Sequence, residues 1–194
     1  LIVSPAGMLQ PKPLSSKKIL KLISINLIEK KLFKACDLLQ CVSLLEKNHL
    51  LNSDFRFKKI IFIPEGLPKI NYVSKKKYNF SKELVSISRI DPIKGIDILI
   101  EASKNLDFNG WKVSIYGNGS KEYIKKLNDK IIKNNLEGKV FLKKGVFGDC
   151  KYEVLESASA FILPSHSESF GIAVAEAMAF SLPIITTIKT PWSI

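Results

Sequence analysis

Two glutamates, Glu168 and Glu176, stand eight positions apart around a Phe170-Gly171 pair in the stretch SHSESFGIAVAEAMAFSLPII, residues 165–185. Eight helical steps would separate them by about 12 Å, whereas carboxylates that work as a pair on one glycosidic bond lie roughly 5 to 9.5 Å apart. That spacing argues against a shared acid and base role. Carboxylates are, however, good acceptors for sugar hydroxyls. A helix starting at Phe170-Gly171 also offers unpaired amides and the positive end of its dipole to phosphate oxygens. Arg89 and Lys94, in SRIDPIKG, supply cations that could neutralise those phosphates. One acid before the helix and one inside it, gripping hydroxyls on either side of a diphosphate, fits a nucleoside diphosphate sugar.

Each of these groups also has a plainer reading. Glu176 could be an exposed helix glutamate, and Arg89 and Lys94 could be surface charges, although cations at a helix start oppose the dipole and call for a reason. Gly117 and Gly119, which bracket Asn118 in YGNG, occur in many turns. His166 is the only histidine near these groups, and a structural role stands beside proton transfer for it.

Their positions along the chain add weight. ELVSISRI, WKVSIYG, KVFLKKG, AFILPS and LPIITT read as strands, alternating with helices at 95–106, 120–135, around 150–158 and 171–180. Such alternation means an α/β fold, a Rossmann-like parallel sheet with helices on both faces, which binds ligands at the carboxyl ends of its strands. The groups above fall in the loops after Arg89, Tyr116, Lys144 and Pro164, and the third of these, KKGVFGD, adds Gly145 and Gly148. Upstream, LLQCVS and KIIFIP read as buried strands on either side of a small helix at 43–51. The stretch after Pro13, with apolar residues at 19, 20, 22, 23, 27 and 32 and a basic opposite face, reads as a helix that covers a core or lies on an anionic membrane. NYVSKKKYNFS, residues 71–81, lacks periodicity and reads as a linker between a segment 1–70 and a domain 82–194.

Composition narrows the classes. The 194 residues are 46% hydrophobic and 25% charged, which suits a globular chain. The net charge of +12 points to an anionic partner. Only Arg56 and Arg89 are arginines among the 30 basic residues, which disfavours nucleic acid, where the arginine fork predominates. Cys36, Cys41 and Cys150 lack metal-type spacing and form an odd set, as expected of thiols in a reducing compartment. There is neither an apolar run of spanning length nor a basic region ahead of the apolar start, so neither a membrane span nor a signal peptide is expected. The chain opens without Met, on an apolar triplet, and reads as cut from something longer.

The blocks RIDPIKGIDILIEA, IYGNG and PSHSESFGIAVAEAMAFSLPII resemble the donor-binding half of retaining glycosyltransferases of family 4, also called group 1, which have the GT-B fold and a motif of two glutamates separated by seven residues. SPAGMLQPKPLSSKKILKL, ACDLLQCVS and IIFIPEG resemble the part just before that family's interdomain crossover, with Pro64-Glu65-Gly66 in place of the usual Pro-Asn-Gly. The resemblance implies that 1–70 is the end of an acceptor-binding domain and 82–194 an incomplete donor domain, truncated at both ends. It implies that Arg89 and Lys94 hold the diphosphate and balance charge on the leaving nucleotide. Glu168 would contact donor sugar hydroxyls, and Ser169, Phe170 and Gly171 would supply backbone donors. Glu176 would bind the ribose, the backbone at Gly145 and Val146 would edge the base, and Gly117 and Gly119 would let backbone approach the donor.

The implied reaction uses no metal and no cofactor beyond the nucleoside diphosphate sugar substrate. It passes the sugar with retention to a saccharide or lipid-linked saccharide acceptor in bacterial surface polysaccharide or lipopolysaccharide synthesis. The site would be cytoplasmic, with peripheral association at the inner face of the plasma membrane, and the isolated chain would have negligible transferase activity. Two further readings are a catalytically inactive nucleotide-sugar-binding remnant and a basic membrane-surface-binding protein, without nucleic acid as partner.

Overall fold

The computed structural model describes residues 1–10, 24, 28–67, 69–70 and 81–192. Most of the helix expected after Ser16, and all of the expected linker except Ser81, lie outside the described residues. The chain forms two compact units: Leu1–Gly66 with Ser167–Gly171 and Ile188–Ile194, and Leu67–His166 with Ile172–Thr187.

The first unit contains a parallel sheet in the order β1 (Ile2–Val3), β2 (Leu38–Cys41) and β3 (Ile60–Phe62), with helices α1 (Lys30–Ala35) and α2 (Leu44–Leu51). β2, α2 and β3 are where the apolar runs put them; β1 is a two-residue strand that no pattern announces. Helix α2 starts at Ser43 because the Ser43 hydroxyl accepts a hydrogen bond from the Glu46 amide at 3.1 Å. Glu46 itself is buried, and its carboxylate accepts from the amides of Val42 and Gly7. Phe33, Cys36, Leu39, Cys41 and Leu50 form the core, with Phe55 and Phe57 set edge-on against Phe33. All three cysteines are free thiols.

The second unit is built on five parallel strands, β4 (Glu83–Ile87), β5 (Lys112–Tyr116), β6 (Val140–Lys143), β7 (Ala160–Leu163) and β8 (Ile184–Thr186). Helices α3 (Ile96–Ser103), α4 (Lys121–Lys133), α5 (Gly148–Ser157) and α6 (Ile172–Ala179) connect them. The spatial order is β6-β5-β4-β7-β8. The chain therefore steps outward from β4 to β6, then crosses back to β7 and continues the other way. Right-handed crossovers put α3 and α4 on one face and α5 and α6 on the other.

Helix α4 shows how sequence sets this packing. Ser120 caps it by accepting from the Tyr123 amide, Leu127 and Ile131 point into the core, and Lys121, Lys125, Lys126 and Lys133 remain exposed. Leu127 and Ile131 join Ile96, Leu99 and Ile100 of α3 against Val113, Ile115 and Val140 of the sheet. Each large aliphatic side chain buried this way contributes roughly 1.5 to 3 kcal/mol.

The strand order reverses between β4 and β7, and in open parallel sheets such a switch point opens a crevice at the carboxyl ends of the strands.

Candidate functional site

In the second unit, Arg89 and Lys94 lie in the segment that leaves β4. The chain does not enter a helix at 95 directly: a 3-10 turn, Pro92–Lys94, comes first. Asp91 caps that turn by accepting from the Ile93 amide at 3.0 Å, and Lys94 is its last residue. Arg89 is exposed and Lys94 half-buried. Gly95 follows with φ +65, and a Cβ there would come within 2.1 Å of the Pro164 carbonyl oxygen at the end of β7. The His166 amide donates to the Ile93 carbonyl at 2.8 Å. The Thr187 hydroxyl donates to the Ser165 carbonyl at 2.6 Å. The loops that follow β4, β7 and β8 are thereby fastened to one another.

Gly117 and Gly119 follow β5. A Cβ on Gly117 would come 2.0 Å from the Ser88 carbonyl oxygen and one on Gly119 2.2 Å from that of Ile90. On those faces the missing side chains admit the protein's own backbone, and Ile90 forms a bridge with Gly119. Asn118, between them, accepts a hydrogen bond from the Gly145 amide at 3.1 Å, which ties the loop after β5 to the loop carrying Gly145 and Val146 after β6.

Glu176 sits in α6, the helix after β7. It is 5% exposed, so the reading of it as a solvated helix glutamate is wrong. An ionised carboxylate out of water needs a partner, and Glu176 has one: the Lys151 ammonium of α5 donates to its Oε1. Arg89 and Lys94 thus follow β4 and Glu176 follows β7, on either side of the switch point.

Glu168, Ser169, Phe170 and Gly171 belong to the first unit. Glu168 is 7% exposed. Its segment is held by Gln10, whose Nε2 donates to the Glu168 carbonyl at 3.0 Å and whose Oε1 accepts from the Ser167 hydroxyl. Gly7 is pressed against Ser169. The Trp192 indole donates to the Phe170 carbonyl, and the two rings meet edge to face at 5.1 Å. Gly171 has φ +85, the turn from which α6 departs.

The sequence reading missed Lys151, Gln10 and Asn118. Lys151 had a signal, a cation at the start of a helix against the dipole; Gln10 and Asn118 had none. Among the described residues, no group of three or more His, Cys, Asp or Glu could hold a metal ion, and no helix is long and apolar enough to cross a membrane.

A parallel sheet with a switch point, bearing cations on one side of it and a buried acid on the other, defines a Rossmann-like unit. The family described as Glycosyl transferases group 1 matches residues 71–191, and the chain belongs to that family. An uncharacterized glycosyltransferase of Methanocaldococcus jannaschii is 34% identical over 152 residues, 78% of this chain and 40% of its own length. The poly(ribitol-phosphate) alpha-N-acetylglucosaminyltransferase of Staphylococcus aureus is 34% identical over 131 residues, 64% of this chain and 25% of its own.

Among solved structures, a mutant of S. aureus TarM in complex with fondaparinux, alpha-GlcNAc-glycerol and UDP superposes with a TM-score of 0.67 at 27% identity, over 87% of this chain and 32% of that one. Anabaena Alr3699/HepE in complex with UDP and glucose shares the fold, with a TM-score of 0.78 at 20% identity over 98% of this chain and 53% of that one. The chain spans well under two thirds of the curated relatives it matches, 40% and 25% of the two described.

Proposed function

We propose that this chain carries the donor-binding part of a retaining glycosyltransferase of family 4, which takes a sugar from a nucleoside diphosphate to an acceptor hydroxyl. In this reading 1–70 ends an acceptor-binding domain, 71–81 is the crossover and 82–194 binds the donor. The observation that carries the reading is the buried Glu176 after β7 with Arg89 and Lys94 after β4. An acid kept out of water is an acceptor for ribose hydroxyls, and cations at strand ends suit a diphosphate.

As the sugar–phosphate bond lengthens, negative charge grows on the leaving diphosphate. Arg89, Lys94 and the leading amides of α6 act where that charge develops. Glu168 is assigned to the donor sugar hydroxyls, with Ser169, Phe170 and Gly171 offering amides. Gly145 and Val146 edge the base beside the Gly117–Gly119 turn. Uridine is the first base to test, because UDP is present in the TarM complex. The acceptor is a saccharide or lipid-linked saccharide of the bacterial surface, reached from the cytoplasm at the inner face of the plasma membrane.

Calorimetric titration with uridine, guanosine and adenosine diphosphates, on wild type and Glu176→Ala, tests the reading. One nucleotide should bind. Hydrogen bonds to a charged group contribute about 1.5 to 3 kcal/mol, so Glu176→Ala should weaken that binding by roughly ten- to hundredfold. Absence of binding by all three, or an unchanged affinity in Glu176→Ala, would overturn it.

A further inference from the structure

Lys151 is held by α5, which starts immediately after the Gly145-Val146 loop. It lies close to the N-terminus of that helix, where the dipole disfavours a cation. Its aliphatic stem is largely buried, the side chain being 21% exposed. The ammonium lies 5.5 Å from the centre of the Tyr152 ring, and Tyr152 stacks on Phe180 of the segment after α6 at 5.6 Å and 24°. A lysine placed against the dipole, with its ammonium beside the Tyr152 ring and ended on a buried carboxylate, is not a solvated surface lysine.

The pair has a particular geometry. Lys151 engages Oε1 of Glu176, the oxygen to which both the hydrogen bond and the ion pair run. Oε2 is left as an acceptor. A buried carboxylate without a counter-ion would lose its charge or turn towards solvent. Lys151 gives it a counter-ion and fixes its plane, and it connects the helix behind the base-edging loop to the helix bearing the ribose acceptor.

We propose that Lys151 is a positioning residue for ribose recognition: it orients Glu176 so that the carboxylate meets the ribose hydroxyls in a preset geometry, and so sets the preference for a ribonucleotide over a sugar lacking those hydroxyls. This rests on the reading of Glu176 as the ribose-binding acid.

The test is binding of uridine diphosphate, its 2′,3′-dideoxy analogue and inorganic pyrophosphate to wild type, Lys151→Met, Lys151→Gln, Lys151→Arg and Glu176→Ala, with thermal unfolding followed in parallel. Wild type should prefer uridine diphosphate to the dideoxy analogue by on the order of tenfold or more, the size of one lost hydrogen bond to a charged group. Lys151→Met and Lys151→Gln should lose that preference, as Glu176→Ala does, while pyrophosphate binding stays the same. Lys151→Arg should keep it. If Lys151→Met fails to fold, Lys151→Gln decides. A Lys151 variant that keeps the wild-type preference, or that weakens all three ligands equally, overturns the proposal. A wild type that binds none of the three instead overturns the donor-binding reading itself.

Discussion

The close approach of the loop after β4 to the end of β7 is made possible by one glycine, Gly95, and its substitution has a calculable cost. Gly95→Ala faces two penalties. The left-handed backbone, φ +65, costs an L-residue about 1 to 2 kcal/mol. The added Cβ would also stand 2.1 Å from the Pro164 carbonyl oxygen, which is backbone and cannot swing aside. Relieving such a clash costs about 1 to 3 kcal/mol more. Gly138 provides the control, because it has φ +73 but nothing within 4 Å of its Cβ position. Gly138→Ala should therefore cost only the backbone penalty. At roughly 2 to 4 °C per kcal/mol for a chain of this size, Gly95→Ala should lower Tm by about 4 to 20 °C and Gly138→Ala by about 2 to 8 °C. Circular dichroism melts of both variants beside wild type give the comparison. Because Lys94 precedes the glycine, Gly95→Ala should also weaken nucleotide binding, and Gly138→Ala should not. Equal Tm shifts in the two variants would refute the close approach of Gly95 to Pro164 from which the larger cost is worked.

In a full-length enzyme, Arg89→Ala or Lys94→Ala should lower kcat by about two to three powers of ten, the usual cost of one preorganised charge-stabilising donor; normal turnover at saturating donor would remove both from the mechanism. Tyr123 donates to Asp97 at 3.5 Å, and burial, then the Asp97 charge, pushes its phenol up to about 12. The folded state holds that proton more tightly than the unfolded chain, whose phenol ionises near pH 10. Stability should therefore fall between about pH 10 and 12, and Tyr123→Phe should remove that part of the decline in denaturant unfolding measured across the range.

The second unit was legible because its signals are local. Each strand of that unit is a short apolar run and each helix has its period, so five strands and four helices fall where the sequence puts them, with boundaries moved only by a few residues. The 3-10 turn at Pro92–Lys94 was hidden because Pro92 serves as well at the start of an α-helix as in a tighter turn. β1 was hidden by its two-residue length.

Of the candidate site, the strand-end loops could be read from alternation alone, but what the side chains meet could not. Glu176 looks like any helix glutamate until α5 brings Lys151 to it from 25 positions away. Gln10 reaches the Glu168 segment across 158 positions. The glycines of YGNG showed that backbone comes close, without showing that it is the backbone of Ser88 and Ile90. Non-local contacts of this kind leave no period or spacing behind them.

A crystal structure of the chain with uridine diphosphate tests the donor site most directly. The ribose hydroxyls should lie at Glu176 and the diphosphate within hydrogen-bonding distance of Arg89 and Lys94, at the carboxyl ends of β4 and β7. Nucleotide bound elsewhere, such as on the exposed lysines of α4, with Glu176 still closed by Lys151 alone, would contradict it.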